Sequence, residues 1–455
     1  MTDSPSYRLG VDVGGTFTDF VLLDESDREI HIAKSLTTPA DPSVGILTGV
    51  RAFDANCVGH IEATRRIAHA TTLVANSVIE RKGAITALLT TKGFRDILEL
   101  RRHVRVTTYE LFADPPQPLV PRWLRLPVEE RVFSDGAVLK AVQREDIERA
   151  VEAMRAENVT SVAVAFLHSY VNPANEQAAA AYLKELAPEI AVTLSSDVLP
   201  QIKEFERTST TAVCAYVGPI LDSYLSRLEE AVGSLGLPGL HIMGSAGGVV
   251  DVAEALQMPA AVVESGPAAG VIAAALVGNQ INKNNLLSFD MGGTTAKAAL
   301  IRDGHIETTA EYEVGGGEGS QNRWLHGTGH PIRVPVIDLA EVSAGGGSIA
   351  WIDPAGALRV GPRSAGAAPG PVCYGRGGTE PTVTDANLVL GYLDAGSLLG
   401  GRMSIDYDGA IRAFEKKIAT PLGQTVPEAA AGVISIVNNN MADALRVVSV
   451  ERGHD

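Results

Sequence analysis

Positive charge, cysteine and long apolar runs are all scarce in this chain. Lys and Arg total 38 against 54 Asp and Glu, a formal net charge of −16 over 455 residues. So acidic a chain lacks the basic face that phosphate-backbone binding needs, which sets nucleic acid aside as a partner. The three cysteines, Cys57, Cys214 and Cys373, stand far apart and make neither a disulfide framework nor a zinc site. The most apolar stretch, residues 267–278, falls short of the roughly 20 residues that span a bilayer. The polar start, residues 1–7, shows no secretory apolar core. These absences exclude a membrane partner and point to the reducing cytoplasm. Aromatics are few at 5%, but the hydrophobic fraction of 45% is ample for two or three domain cores.

Strand-like and helix-like segments alternate, which predicts an α/β fold. Residues 9–13 read as a buried strand and 20–23 as its hairpin partner. Ile147, Val151 and Met154 recur at helical spacing and predict a helix over 144–157, followed by a buried strand at 162–167. An alanine-rich helix is expected to begin at Asn172-Pro173 and run to Leu186. A further helical stretch, about 202–235, is expected to break at Gly218-Pro219 and to link two regions, 1–200 and 201–455. Residues 315–378 are dense in glycine and lose periodicity, which predicts a long ordered loop region.

One internal repeat carries chemistry. Asp12-Val13-Gly14-Gly15-Thr16 recurs as Asp290-Met291-Gly292-Gly293-Thr294, each copy between two apolar strands. Paired glycines permit a tight turn whose amides approach a phosphate, and an aspartate at the strand end can hold a metal ion beside it. A single such turn is commonplace; two in matching contexts predict equivalent phosphate turns in two lobes. No P-loop and no dinucleotide-binding glycine fingerprint is present.

Paired turns of this kind resemble the phosphate clamps of the actin, sugar-kinase and heat-shock ATPase superfamily. Six segments narrow the resemblance: 10–19 (GVDVGGTFTD), 69–76 (HATTLVAN), 206–210 (ERTST), 264–268 (ESGPA), 345–350 (GGGSIA) and 381–387 (PTVTDAN). In this order they look like the hydantoinase A/oxoprolinase family. The resemblance implies a two-lobed actin-like fold with a glycine-rich insertion in the second lobe. It also implies an ATP-binding subunit, with Mg²⁺ or Mn²⁺, that phosphorylates a carbonyl oxygen of a small substrate. Members open cyclic amides (hydantoins, 5-oxoproline, lactams) or carboxylate ketones, with bicarbonate as co-substrate. The expected partner is a hydantoinase B-type subunit in a hetero-oligomer. An actin-like, non-catalytic nucleotide switch is the alternative from another class.

Onto these motifs the expected roles fall residue by residue. Asp12 and Asp290 are expected around the metal, and Gly14, Gly15, Thr16, Gly292, Gly293 and Thr294 around the phosphates. Asp19 is a candidate to orient water or a substrate proton, since a base must first be in reach. His69, Thr71, Thr72 and Asn76 read equally as substrate contacts or as a helix N-cap. Gly345 and Gly346, with the turn 244–248, are candidate ligand loops. Glu206 and Arg207 favour a buried ion pair between lobes, and Asp385 stands between a site role and a helix cap. His326, His330 and Asp338 make a tempting but weak metal pattern. Residues 98–105 depart from the Gly-Arg pair of many hydantoinase-like members, which leaves the substrate class open. In the family, a segment like Glu451-Arg452-Gly453 precedes a strand and an adenosine-contacting turn. That material is expected on a longer polypeptide or a second chain.

Overall fold

The computed structural model describes residues 6–14, 17–38, 42–56, 61–103, 112, 114, 116–315, 329–366, 368–396 and 404–454. Its first strand, β1 (Tyr7–Val13), buries Leu9, Val11 and Val13 on one face, as the alternation requires. It pairs antiparallel with β2 (Phe17–Asp24), which pairs antiparallel with β3 (Ile30–Leu36). Along its other edge β1 runs parallel to β4 (Thr64–Thr71), and β4 to the strand Leu240–Met243. Val249–Asp251 closes this six-stranded sheet. The first sheet therefore takes the two neighbouring strands of one edge, Leu240–Met243 and Val249–Asp251, from beyond residue 200.

A second, all-parallel sheet orders Ala191–Leu194, Ser161–Ala165, Thr86–Thr91 and Arg125–Val128. Leu88, Leu89, Val162 and Val164 are buried in it, which explains their unbroken apolar runs. The third sheet is antiparallel: Leu286–Met291 pairs with Ala296–Arg302, which pairs with His305–Ile306 and with Ala340–Val342. The first and third sheets thus each contain the same strand–turn–strand unit, and the fold is α/β.

Two expectations need correction. The helix Glu204–Ser234 passes through Pro219 without a break. A helical proline costs roughly 3 kcal/mol. This helix offsets that cost by serving two cores at once: Val213, Val217, Leu221 and Leu225 pack into the first-sheet core, and Ala212 and Ala215 into the second. Much of the region 315–378 is also regular. It holds the hairpin Ser348–Ile352 with Leu358–Ser364 and short strands at His330–Ile332, Val336–Ile337 and Ala340–Val342; residues 316–328 lie outside the described residues. These strands are only two to seven residues long, too short for a period to show against dense glycine. Among the described residues no helix is long and apolar enough to cross a membrane.

Candidate functional site

The two turns close in the same way. Gly14 N–H donates to the Phe17 carbonyl at 3.0 Å, and Gly292 N–H donates to the Thr295 carbonyl at 2.9 Å. In both, the residue two after the aspartate bonds to the residue five after it. Gly15 and Thr16 lie outside the described residues; Gly292, Gly293 and Thr294 are exposed at the tip of the second turn.

Asp12 has Asp19 as its cross-strand partner on β2. It is exposed at its tip while its surroundings are dense. Burial, and then the like charges of Asp19 and Asp290, push its carboxyl up to about 6, with Lys34 pulling the other way. Asp290, on the second glycine turn, therefore lies near enough to Asp12 for its charge to be felt. Lys34 Nζ pairs with Asp19 at 2.8 Å. Among the described residues, no three His, Cys, Asp or Glu side chains stand close enough together to hold a metal ion.

Between the turns lies the start of the helix Ser265–Gln280, in the motif 264–268. Ser265 Oγ donates to the Thr71 carbonyl at 2.8 Å and accepts from Thr71 N–H at 2.9 Å. Gly266 abuts the Asp12 carboxylate. The buried Glu264 accepts from Lys297 Nζ and, at 2.8 Å, from the Tyr312 hydroxyl. Lys297 also lies 3.9 Å from Glu341. Burial alone pulls the Lys297 ammonium down, but Glu264, Glu341 and Asp290 outweigh it and hold it above the ordinary lysine value. Sequence reasoning missed Lys297, Glu341 and Tyr312. One signal was available for Lys297: it stands seven residues after Asp290, as Asp19 stands seven after Asp12.

The remaining candidates divide. His69 faces the core. Its Nδ1 lies 3.2 Å from the Val11 carbonyl and its Nε2 2.8 Å from the Tyr224 hydroxyl, and burial lowers its pKa to about 4. Thr71 is tied to Ser265 as described, and its hydroxyl accepts from Leu73 N–H at the start of the helix Leu73–Ile79. Asn76 donates to the Thr72 hydroxyl at 3.0 Å, a bond within that same turn. Gly345 and Gly346 brace the second turn. Gly346 N–H donates to the Gly292 carbonyl at 3.0 Å, and a Cβ at Gly345 would stand 2.7 Å from the backbone of Gly293 and Thr294.

Asp385 completes a capping box with Thr382 and accepts from Cys373 N–H at 2.8 Å, so it is a helix cap. Glu206 and Arg207 do not pair with each other. Glu206 takes Arg102 at 2.5 Å, while Arg207 donates to the Phe166 carbonyl at 2.6 Å. In the turn 244–248, the buried Ser245 hydroxyl accepts from Glu264 N–H at 3.0 Å. Asp338 pairs with Arg452 at 2.7 Å, and His326 lies outside the described residues.

An α/β chain with two matching strand–turn–strand units, whose aspartates Asp12 and Asp290 lie within reach of each other's charge, defines the class of protein. Comparison with known proteins then gives its family. The hydantoinase/oxoprolinase N-terminal region model matches residues 8–187, and the hydantoinase/oxoprolinase model matches residues 207–455. The chain belongs to the hydantoinase/oxoprolinase family. It is 44% identical to an uncharacterized protein of Methanocaldococcus jannaschii, with 99% of this chain aligned to 66% of that protein. It is 38% identical to caprolactamase subunit alpha of Pseudomonas jessenii (99% of this chain, 64% of the relative). To the acetophenone carboxylase gamma subunit of Aromatoleum aromaticum it is 34% identical (98% and 61%). The chain thus spans just under two thirds of the length of these relatives. Among solved structures it is similar to nucleotide-free acetone carboxylase, with TM-score 0.85 at 27% identity. It is similar also to the ATP-dependent caprolactamase of Pseudomonas jessenii, with TM-score 0.77 at 37% identity. Both cover 99% of this chain and 64% of the other.

Proposed function

We propose that this chain is the nucleotide-binding subunit of an ATP-dependent enzyme that phosphorylates a carbonyl oxygen, in a lactam, imide or enol, to drive ring-opening amide hydrolysis. The observation that carries the reading is the pair of matched turns, with Asp12 near enough to Asp19 and Asp290 to feel the charge of both. Phosphorylating the amide oxygen makes the carbonyl carbon electrophilic enough for water to add. The C–N bond then breaks as the ring nitrogen takes a proton, and a second water hydrolyses the resulting acyl phosphate to carboxylate and phosphate. Catalysis of such a transfer is mostly positioning and charge neutralisation, which suits a cleft built from turns and carboxylates rather than from a strong nucleophile.

The residues fit a divalent cation. Mg²⁺ or Mn²⁺ is held by one or two carboxylates with water and phosphate oxygens completing the shell. Asp12, pressed by the like charges of Asp19 and Asp290 with only Lys34 opposing them, suits that role. Asp12 would hold it, with Asp290 facing from the second lobe; bound there, it would supply charge neutralisation at the phosphates. The exposed tip Gly292-Gly293-Thr294 would offer backbone amides and a hydroxyl to the phosphates, as would Gly14, Gly15 and Thr16 on the first lobe. Gly345 and Gly346 would hold that tip in place. Thr71 and Thr72, beside β1, would line the substrate side with Asn76, and Asp19 would orient water or a substrate proton. His69 would support that wall from behind. The two lobes are read as 1–200 and 201–455, and a cytoplasmic hetero-oligomer with a hydantoinase B-type subunit as the working assembly. Caprolactamase and acetophenone carboxylase relatives named as subunits support that assembly.

A second reading, an ATP-dependent ketone carboxylase subunit using bicarbonate, is favoured by the likeness to acetone carboxylase at TM-score 0.85. The experiment is an ATP-hydrolysis screen of the chain with its B-type partner. Hydantoin, 5-oxoproline, caprolactam, acetone and acetophenone are each added with and without bicarbonate. Stimulation by a cyclic amide supports the first reading, and bicarbonate-dependent stimulation by a ketone supports the second. If no compound stimulates turnover, both fail.

A further inference from the structure

The matched turns carry opposite charges at one equivalent position. Counting from the aspartates, Asp19 on the first lobe corresponds to Lys297 on the second. The strand registers repeat the correspondence: Asp12 is paired across the strands with Asp19, and Asp290 with Lys297. The third strand continues each row, with Asp19 opposite Lys34 and Lys297 opposite Glu341. Directly opposed side chains in an antiparallel pair stand on one face, about 5 Å apart at Cβ. The first row therefore reads acid, acid, base, and the second reads acid, base, acid.

The sheet itself does not require a lysine at 297, because the first lobe builds the same pairing with an aspartate there. The surroundings of Lys297 do require a cation. Its ammonium touches Glu264, lies 3.9 Å from Glu341 and feels the charge of Asp290, while its side chain is only 13% exposed. Removing a charge from such a set leaves its partners buried and uncompensated. Glu264 is fixed in turn by the Tyr312 hydroxyl and by Ser245. Glu264 also leads directly into Ser265 and Gly266, which touch Thr71 and Asp12. The ammonium is thus held at a set place relative to the first turn.

We propose that Lys297 is a built-in cation that occupies the second turn's acidic set, so that a divalent cation in the cleft is held from the first-lobe side, by Asp12 with Asp19 beside it. Lys297 acts as a positioning residue: it neutralises Asp290 and keeps the second turn in register for its part in the reaction. This deepens the reading given above, on which it rests for the presence of a divalent cation, and names which carboxylates hold that ion.

Mn²⁺ binding to the purified chain, followed by electron paramagnetic resonance without nucleotide, tests it. Asp12→Asn should weaken Mn²⁺ binding at least tenfold, and Asp290→Asn less than threefold. Lys297→Met should strengthen Mn²⁺ binding, and adding Asp290→Asn to Lys297→Met should remove the gain. Lys297→Arg should behave as the wild type, which a loss of packing alone would not predict. Should Lys297→Met fold poorly, Lys297→Gln with Glu264→Gln removes one charge of each sign and carries the same comparison. Equal losses in Asp12→Asn and Asp290→Asn would overturn the assignment, as would weaker binding in Lys297→Met. Wild-type chain without Mn²⁺ affinity would overturn the divalent-cation reading and this inference together. Loss of substrate-stimulated ATP turnover with Mn²⁺ binding intact would fall on the proposed reaction alone.

Discussion

Gly266 lies against the carboxylate of Asp12: a Cβ at 266 would stand 3.1 Å from Asp12 Oδ1. The first turn of the helix Ser265–Gln280 is thereby moulded to the aspartate of the first glycine turn. Gly266→Ala forces that carboxylate aside by a few tenths of an ångström. Moving that carboxylate off its place should weaken MgATP binding by up to about tenfold, roughly 1.4 kcal/mol. Helix propensity works the other way, favouring alanine over glycine by about 1 kcal/mol. The melting temperature should therefore hold or rise while affinity falls. Calorimetric titration with MgATP beside a thermal melt checks both, and unchanged affinity would remove Gly266 from the site.

Asp12→Ala and Asp290→Ala should each abolish Mg²⁺-dependent ATP turnover in the assembled complex, with circular dichroism unchanged. A loss of at least about 100-fold is expected, the scale of removing one preorganised electrostatic group from a reacting centre. The two variants should part company in metal binding, which Asp290→Ala leaves largely intact. Wild-type turnover in either variant rules out the paired clamp.

The parts of this fold legible in the sequence were local ones. The repeated turn shows itself because Asp, two glycines and Thr must follow in order for the chain to reverse and donate at the tip. Contacts that join the lobes were not legible. Ser265 and Thr71 are 194 positions apart, and nothing local in either names the other. His69 carried a readable signal: in a strand it shares a face with Ile67, two residues before it, and Ile67 is core. Its neighbours Thr71 and Thr72 drew the whole cluster toward a polar reading, although β4 turns His69 inward onto Tyr224. Pro219 misled for the opposite reason. Its local rule is sound, but packing on two cores outweighs it.

His69 gives the fold an acid sensitivity. Its folded pKa of about 4 lies below the ordinary 6.5, because burial disfavours the charged ring. Between these values the unfolded chain binds the proton and the folded chain does not. The stabilising contribution is complete above pH 6.5 and is lost as pH falls toward 4, on the order of 3 kcal/mol. His69→Gln should flatten the melting temperature against pH over that window. His330, also lowered to about 4 by burial and by Arg81 and Arg101, should retain the remaining slope. An unchanged slope in His69→Gln would show that the ring does not titrate as its burial requires.

The outer edge of the strand Leu286–Met291 should make this chain self-associate. In the first lobe, the equivalent strand β1 is covered on that edge by parallel β4, and Leu9, Val11 and Val13 are buried. In the second lobe, among the described residues, no strand pairs with the corresponding edge. Leu287 and Phe289 are exposed there at 45% and 39%, and the neighbouring helix exposes Leu276 and Val277. An open edge beside apolar side chains is a template for pairing with another chain, and charged residues on such an edge suppress that pairing. Leu287→Lys with Phe289→Glu should shift the chain toward monomer in sedimentation velocity at tens of micromolar, roughly the range where weak edge pairing shows. Both substituted side chains are more than a third exposed, so the melting temperature should move little. A wild-type chain that sediments as a monomer throughout would show that this edge does not recruit a copy of the chain.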